Sequence, residues 1–193
     1  NSLALLNDKT LQAWGQNLLA QLGNGTQTPR ATPGPVPGLS NVATASAGNS
    51  HTLAAKADGT AWAWGVNANG QLGDGTLTSR SAPVQVSGIS GVIAVEAGLT
   101  HSVARKNDNT VWAWGENVAG QFGASDRTTP MQIAGLTNVI AISAHGLHTL
   151  ALKSDGTVWA WGANYTGQLG DGTSTNRATP VQVSGLTGVV AIS

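Results

Sequence analysis

The chain has 193 residues, of which only 9% are charged, against roughly 25% in an average soluble domain. Nine basic and nine acidic residues cancel, which argues against the basic excess of a nucleic-acid or anionic-membrane binder. The absence of cysteine excludes disulfides, thiolate metal sites and cysteine nucleophiles, and no apolar run approaches the roughly 20 residues that cross a bilayer.

Seven tryptophans and recurring Val/Ile/Leu runs supply the apolar groups that a disordered chain lacks. They also reveal a repeat, because Trp14-Gly15, Trp64-Gly65, Trp114-Gly115 and Trp161-Gly162 return at spacings of 50, 50 and 47 residues. The copies divide one module, 1–193, into approximate repeats 1–50, 51–100, 101–147 and 148–193.

In chain order, the first copy has a turn at Asp8, then Trp14, Asn17, a Gln-Leu-Gly from Gln21, Arg30 and Pro33, and a closing apolar run Val42–Ala45. The second has Asp58-Gly59 between two alternating runs, His51–Ala55 and Thr60–Trp64, which predicts a β-hairpin because glycine accepts the positive φ of a tight turn. Asn67, Gln71, Arg80 and Pro83 follow. The third copy turns at Asp108-Asn109, carries Asn117, Gln121 and Arg127/Pro130, and is shortened where Ala124-Ser125-Asp126 replaces the longer Asp-Gly-Thr stretch. A deletion of that kind belongs in a loop. The fourth repeats the pattern with Asp155-Gly156, Asn164, Gln168, Arg177/Pro180 and Val189–Ile192. Alternation across a strand puts Trp62 with Trp64, Trp112 with Trp114 and Trp159 with Trp161 on one face each. No segment keeps a 3.6-residue apolar period, so the expectation is an all-β chain. Three to four short strands per copy describe a β-propeller blade, with Trp14 and the paired tryptophans as structural filler between blades.

The run Gly-Thr-x-Trp-Ala-Trp-Gly-x-Asn-x-x-Gly-Gln-Leu-Gly-Asp-Gly-Thr, then Pro-Val-Gln-Val, then Ala-Gly-x-x-His, resembles the regulator of chromosome condensation repeat. The second copy carries it nearly throughout, in Gly59–Thr76, Pro83–Val86 and Ala97–His101. The resemblance implies a β-propeller, usually of seven blades, whereas four repeats are present. Three arrangements stay open: a whole four-bladed ring, half of a ring shared by two chains, or an excerpt of a seven-bladed ring. Asn1 aligns with His51, so Val189–Ile192 is expected to pair with the remaining strands of the first copy. Members of the resembled family include an exchange factor for a small GTPase, a plant ultraviolet photoreceptor and a bacterial β-lactamase inhibitor. The exchange factor relies on an insertion that these repeats lack, and the photoreceptor relies on clustered Trp and Arg at a dimer face.

Candidate sites are few. His51, His101 and His148 share one repeat position, read as hydrogen bonding at a strand start, while His145 stands where other copies have Gly48 and Gly98. Ser50, His51 and Asp58 do not form a nucleophile motif, and Glu96 and Glu116 are the only glutamates, so no enzyme activity, metal or cofactor is expected. Arg30, Arg80, Arg127 and Arg177 are four of five arginines and share one offset before proline. They are read either as satisfying their own loops or as a positive ring that receives an acidic partner. Variation between copies concentrates after each Asn, where Leu18, Leu19 and Tyr165 are apolar or aromatic in an otherwise small, polar set. The expected function is non-enzymatic binding of a protein partner through these loops, as an interaction or extracellular scaffold module. A stoichiometric hydrolase inhibitor or a protein self-assembling through open blade edges, as a homodimer or larger, is the alternative. Few lysines, many Thr, Asn and Gly, and no Cys suggest a secreted bacterial protein, with a cytoplasmic location the other reading.

Overall fold

A computed structural model describes residues 1–120, 122 and 125–193; Gln121, Gly123 and Ala124 of the shortened third loop lie outside the described residues. The described chain is all β, in four antiparallel sheets. The first sheet has three strands, β1 (Ser2–Leu5), β2 (Leu11–Gly15) and β3 (Arg30–Pro35). The second runs β4 (Val42–Ala47), β5 (His51–Lys56), β6 (Ala61–Gly65) and β7 (Arg80–Gln85). The third is β8 (Val92–Ala97), β9 (His101–Lys106), β10 (Val111–Gly115) and β11 (Arg127–Gln132), and the fourth is β12 (Val139–His145), β13 (His148–Lys153), β14 (Val158–Gly162) and β15 (Arg177–Gln182). These are propeller blades, and the second, third and fourth each take as their first strand the apolar run that closes the preceding sequence copy. The first strands β4, β8 and β12 lie against one another across successive blades and so form the inner layer.

The expected closure by Val189–Ile192 is not made within the chain. That segment forms no strand, Val190 is 91% exposed, and β1 has β2 as its only strand neighbour among the described residues.

Each apolar core sits between two blades. Trp64 packs with Leu11, Leu22 and Val36 of the first sheet, and Trp114 packs with Leu53, Leu72 and Val86 of the second. Trp161 packs with Val103, Val111 and Phe122 of the third. These three tryptophans are fully buried. Their partners two residues earlier share the strand face but only border these cores: Trp62, Trp112 and Trp159 are partly buried and lie beneath Lys56, Lys106 and Lys153 at 5.7, 5.3 and 5.5 Å. Trp14, in the first sheet, is also only partly buried.

The blades are latched by polar groups as well. Trp64 Nε1 and Thr52 Oγ1 both donate to the Gln21 carbonyl, at 3.0 and 2.8 Å. Trp114 Nε1 and Ser102 Oγ donate to the Gln71 carbonyl at 2.9 and 2.7 Å. Gly23 and Gly73, which end the Gln-Leu-Gly motif, have φ of +66° and +69°, and a Cβ on them would lie 2.6 and 2.7 Å from the tryptophan Nε1. Glycine is therefore required twice over, by backbone conformation and by the approaching ring.

His51 and His101 are fully buried beside the same latch. His51 Nε2 lies 2.9 Å from Ser102 Oγ, and His101 Nε2 lies 3.0 Å from Thr149 Oγ1. Because the Ser102 hydroxyl hydrogen is committed to Gln71, His51 Nε2 must be the donor, which leaves a neutral ring with Nδ1 bare. Protonation would place an unpartnered N–H in the core. Burial, with the neighbouring histidine adding, accordingly lowers the pKa of His51 to about 3 and that of His101 to about 4.

Two outcomes follow for stability. Trp114→Ala should cost about 3–5 kcal/mol, as large-to-small core changes do, whereas Trp112→Ala should cost about 1–2 kcal/mol for its half-buried ring. Urea midpoints at constant slope separate the two, and equal losses would contradict their different placement. Because the native histidines bind protons less readily than the unfolded chain, stability is fully present above the unfolded histidine value of about 6.5 and declines as pH falls toward 4. The aspartates, with native values lowered by hydrogen bonds, add their own loss only below about pH 4, while Glu96, raised by burial, opposes the trend. Denaturation at pH 7 and pH 4.5 should show the decline, and His51→Gln should flatten it; an unchanged slope in that variant would place the titration elsewhere.

Candidate protein-interaction face

In each four-stranded blade the first and third strands run the same way, so their C-terminal ends meet at one end of the sheet. The register makes this concrete, since Ala47 pairs with Thr52 while the adjacent His51 pairs with Gly65, and Gly65 in turn pairs with Arg80. The inner-strand ends, the loops after β2, β6, β10 and β14, and the four arginines therefore share one face of the propeller.

Each loop is built around a buried asparagine. Asn67 Nδ2 donates to the carbonyls of Thr76 and Thr78 at 2.9 and 3.2 Å, and its Oδ1 accepts the Leu72 N–H at 2.9 Å. Asn164 does the same with Thr173, Thr175 and Leu169, at 3.0, 3.1 and 2.9 Å. Asn17 holds Thr26, Thr28 and Leu22 at 3.0, 3.0 and 2.9 Å. In the third copy the Phe122 N–H reaches Asn117 Oδ1 at 2.9 Å. An amide is the side chain suited to this task, because it offers donors and an acceptor at once. The following glutamine fixes the loop's other limb, with Gln21 Oε1 accepting from Leu19 N at 3.0 Å and Gln71 Oε1 from Asn69 N at 3.0 Å.

Because the asparagine points inward, the next residue points out. Leu18, Val118 and Tyr165 occupy this one position in three copies and are 62, 68 and 64% exposed; Ala68 holds it in the second copy and is also exposed. Leu19, one residue further, is 40% exposed, whereas its counterpart Ala119 is buried. The sequence singled out Leu18, Leu19 and Tyr165 as exceptions. It missed Val118, whose equivalence to Leu18 and Tyr165 is readable by aligning on the asparagine.

The arginines start the outermost strands, at the rim of this face. Asp74 accepts from Thr76 N and Oγ1 at 2.9 and 2.7 Å in an Asx turn and turns its other oxygen to Arg80 Nη2 at 2.8 Å. Asp171 receives Thr173 Oγ1 at 2.7 Å and Arg177 Nε at 2.6 Å. The Thr173 hydroxyl, with Arg177 assisting against some burial, lowers the Asp171 pKa to about 2. In the first copy Asn24 replaces the aspartate, and Arg30 Nη1 donates to the Pro35 carbonyl at 3.4 Å. Arg127 is exposed and forms no ion pair among the described residues. Two of the four charges are thus neutralised by their own loops, so the rim is not a uniform positive ring. Among the described residues no three His, Asp or Glu side chains are grouped to hold a metal ion.

The model of the regulator of chromosome condensation (RCC1) repeat matches residues 10–55, 58–105, 108–152 and 155–193, and a second RCC1-repeat model matches 42–71, 92–121 and 139–168. No curated protein matches the chain. Among solved structures, human WBSCR16 is similar at 25% identity and a TM-score of 0.86, over 94% of this chain and 50% of that one. Prp20p of Saccharomyces cerevisiae, in a structure described with its binding to Gsp1p and histones, is similar at 21% identity and a TM-score of 0.79, over 94% and 48%. Yeast RCC1 (Prp20) bound by Kap60 is similar at 20% identity and a TM-score of 0.78, over 90% and 44%. The chain spans about half the length of these proteins. Four matched repeats covering nearly the whole sequence, folded as four successive propeller blades, make this chain a member of the RCC1-repeat family.

Proposed function

We propose that the chain is a non-enzymatic protein-interaction module that docks a partner across the face formed by the loops after β2, β6, β10 and β14. The observation that carries this reading is the row Leu18, Val118 and Tyr165, apolar or aromatic side chains at one repeat position, each more than 60% exposed. Their supporting asparagines are buried, and Asn17 and Asn164 hold both limbs of their loops by hydrogen bonds, so Leu18 and Tyr165 are presented on pre-organised loops and lose little entropy on binding. Apolar and aromatic side chains so presented on a largely uncharged surface suit a protein partner better than a polyanion. The self-neutralised Arg80–Asp74 and Arg177–Asp171 pairs surround the row with a polar rim of the kind that borders protein interfaces.

The test uses a photo-crosslinking residue at position 165 to capture binders from the source cells, followed by affinity measurement with the purified binder. Replacing Leu18, Val118 and Tyr165 together by serine should weaken binding at least about tenfold and leave the denaturation midpoint nearly unchanged, because these side chains are solvent-exposed. Full affinity in the triple variant, or crosslinks that arise only from a control position on the outer strand such as Thr129, would overturn the reading.

A further inference from the structure

Two residues depart from the repeat, and the fold brings them together. Glu96 stands on β8 where β4 and β12 carry Ser46 and Ser143, and His145 ends β12 where the preceding copies carry Gly48 and Gly98. Both line one cavity of about 220 Å³ at the C-terminal ends of the three inner strands. That is smaller than the roughly 300–1,000 Å³ of a typical small-molecule site and suits a single long side chain. Ser46 and Asn49 add polar groups to the wall, and Ala97 and Leu99 give it an apolar part.

The carboxylate is held in place but is not neutralised. Ser46 Oγ donates to Glu96 Oε2 at 3.1 Å and itself accepts the Ala97 N–H at 3.1 Å. Glu96 forms no ion pair among the described residues. Burial raises its pKa, with the Ser46 hydrogen bond and the field of His145 acting the other way. Such a half-buried carboxylate has no lysine or arginine paired with it among the described residues.

The imidazole stands at a position that the framework normally keeps bare. A Cβ on Gly98 would lie 2.4 Å from His101 Cε1. In the copy where His145 takes this place, His148 is only half-buried, whereas His51 and His101 are fully buried.

We propose that this cavity is a binding site for a basic side chain, lysine or arginine, contributed by the protein partner that docks on the loop face. The ammonium or guanidinium donates to Glu96, with Ser46, Asn49 and His145 as further polar neighbours, and the apolar stem lies along Ala97 and Leu99. A carboxylate removed from bulk water attracts such a cation more strongly than an exposed one. The inner-strand ends and the loops after β6 and β10 lie on the same face, so one partner reaches both. The identity of the cation's source rests on the interaction function proposed above; the cavity itself is testable without a partner.

The probe is Nα-acetyl-lysine methylamide, titrated into the isotope-labelled chain and read by backbone amide shifts at Gly98, Leu99 and Gly146. Saturable shifts are expected with this probe and with its arginine counterpart, but not with the neutral norleucine analogue. Glu96→Gln retains an oxygen to accept from Ser46 and should weaken the response about tenfold or more, the scale of one lost charge pair. His145→Gly, which restores the usual repeat residue and so should fold, should weaken it as well. No saturable shift, an equal response to norleucine, or an undiminished response in Glu96→Gln would overturn the proposal. Equal binding of methylammonium would overturn the side-chain assignment, since the stem would then contribute nothing. These results depend on the cavity alone, whereas the serine triple variant tests the loop row, so either idea can fail without the other.

Discussion

At the first two blade junctions the arrangement depends on one backbone carbonyl each. Gln21 O and Gln71 O each accept two hydrogen bonds from the next blade, one from a buried indole and one from the hydroxyl paired opposite it on the neighbouring strand. A blade alone exposes both sheet faces. The latch closes one of them with a tryptophan, the largest apolar side chain available, and satisfies its N–H in the same contact. The adjoining glycine, with positive φ and no room for a Cβ, lets the ring approach. Gln-Leu-Gly thus does three jobs in three residues: a latch carbonyl, a core leucine and a clearance for the indole.

The second level of order follows from strand direction. In the four-stranded blades, the ends of the first and third strands and the start of the fourth share one face. The repeat places its buried asparagines there, so backbone conformation is fixed while the adjacent side chain is free to differ between copies. Leu18, Ala68, Val118 and Tyr165 differ freely because nothing in the framework rests on them. Asn17, Asn67, Asn117 and Asn164 do not differ, and Asn17, Asn67 and Asn164 each bridge two limbs of their loop. Stability and recognition are assigned to neighbouring residues that point in opposite directions.

The arginines and histidines show how one repeat position takes different chemical states. Arg80 and Arg177 meet an aspartate, Arg30 reaches a carbonyl where Asn24 replaces that aspartate, and Arg127 stands exposed in the copy whose loop is shortened. His51 and His101 each need a hydroxyl on the next blade, which Ser102 and Thr149 supply. At pH 7 both rings are neutral and serve the core, whereas His145 lines the cavity at the inner-strand ends.

The sequence by itself determined the repeat, the all-β class, the hairpins at Asp58-Gly59 and Asp155-Gly156, and the alternation that puts paired tryptophans on one face. Each of these is a local pattern, set by turn chemistry and by the two-residue period of a strand. It also marked the variable loop positions, since variation against a fixed framework is visible once four copies are aligned. Only the tertiary structure decided that Trp64 is buried while Trp62 lies under a lysine, because that depends on where the preceding blade ends. Likewise, the closing runs of the first three copies became the first strands of the next blades, and Val189–Ile192 found no strand to join. The meeting of Glu96 and His145 could not be read from spacing, because they lie 49 positions apart on different sheets. They become neighbours only when the inner strands converge.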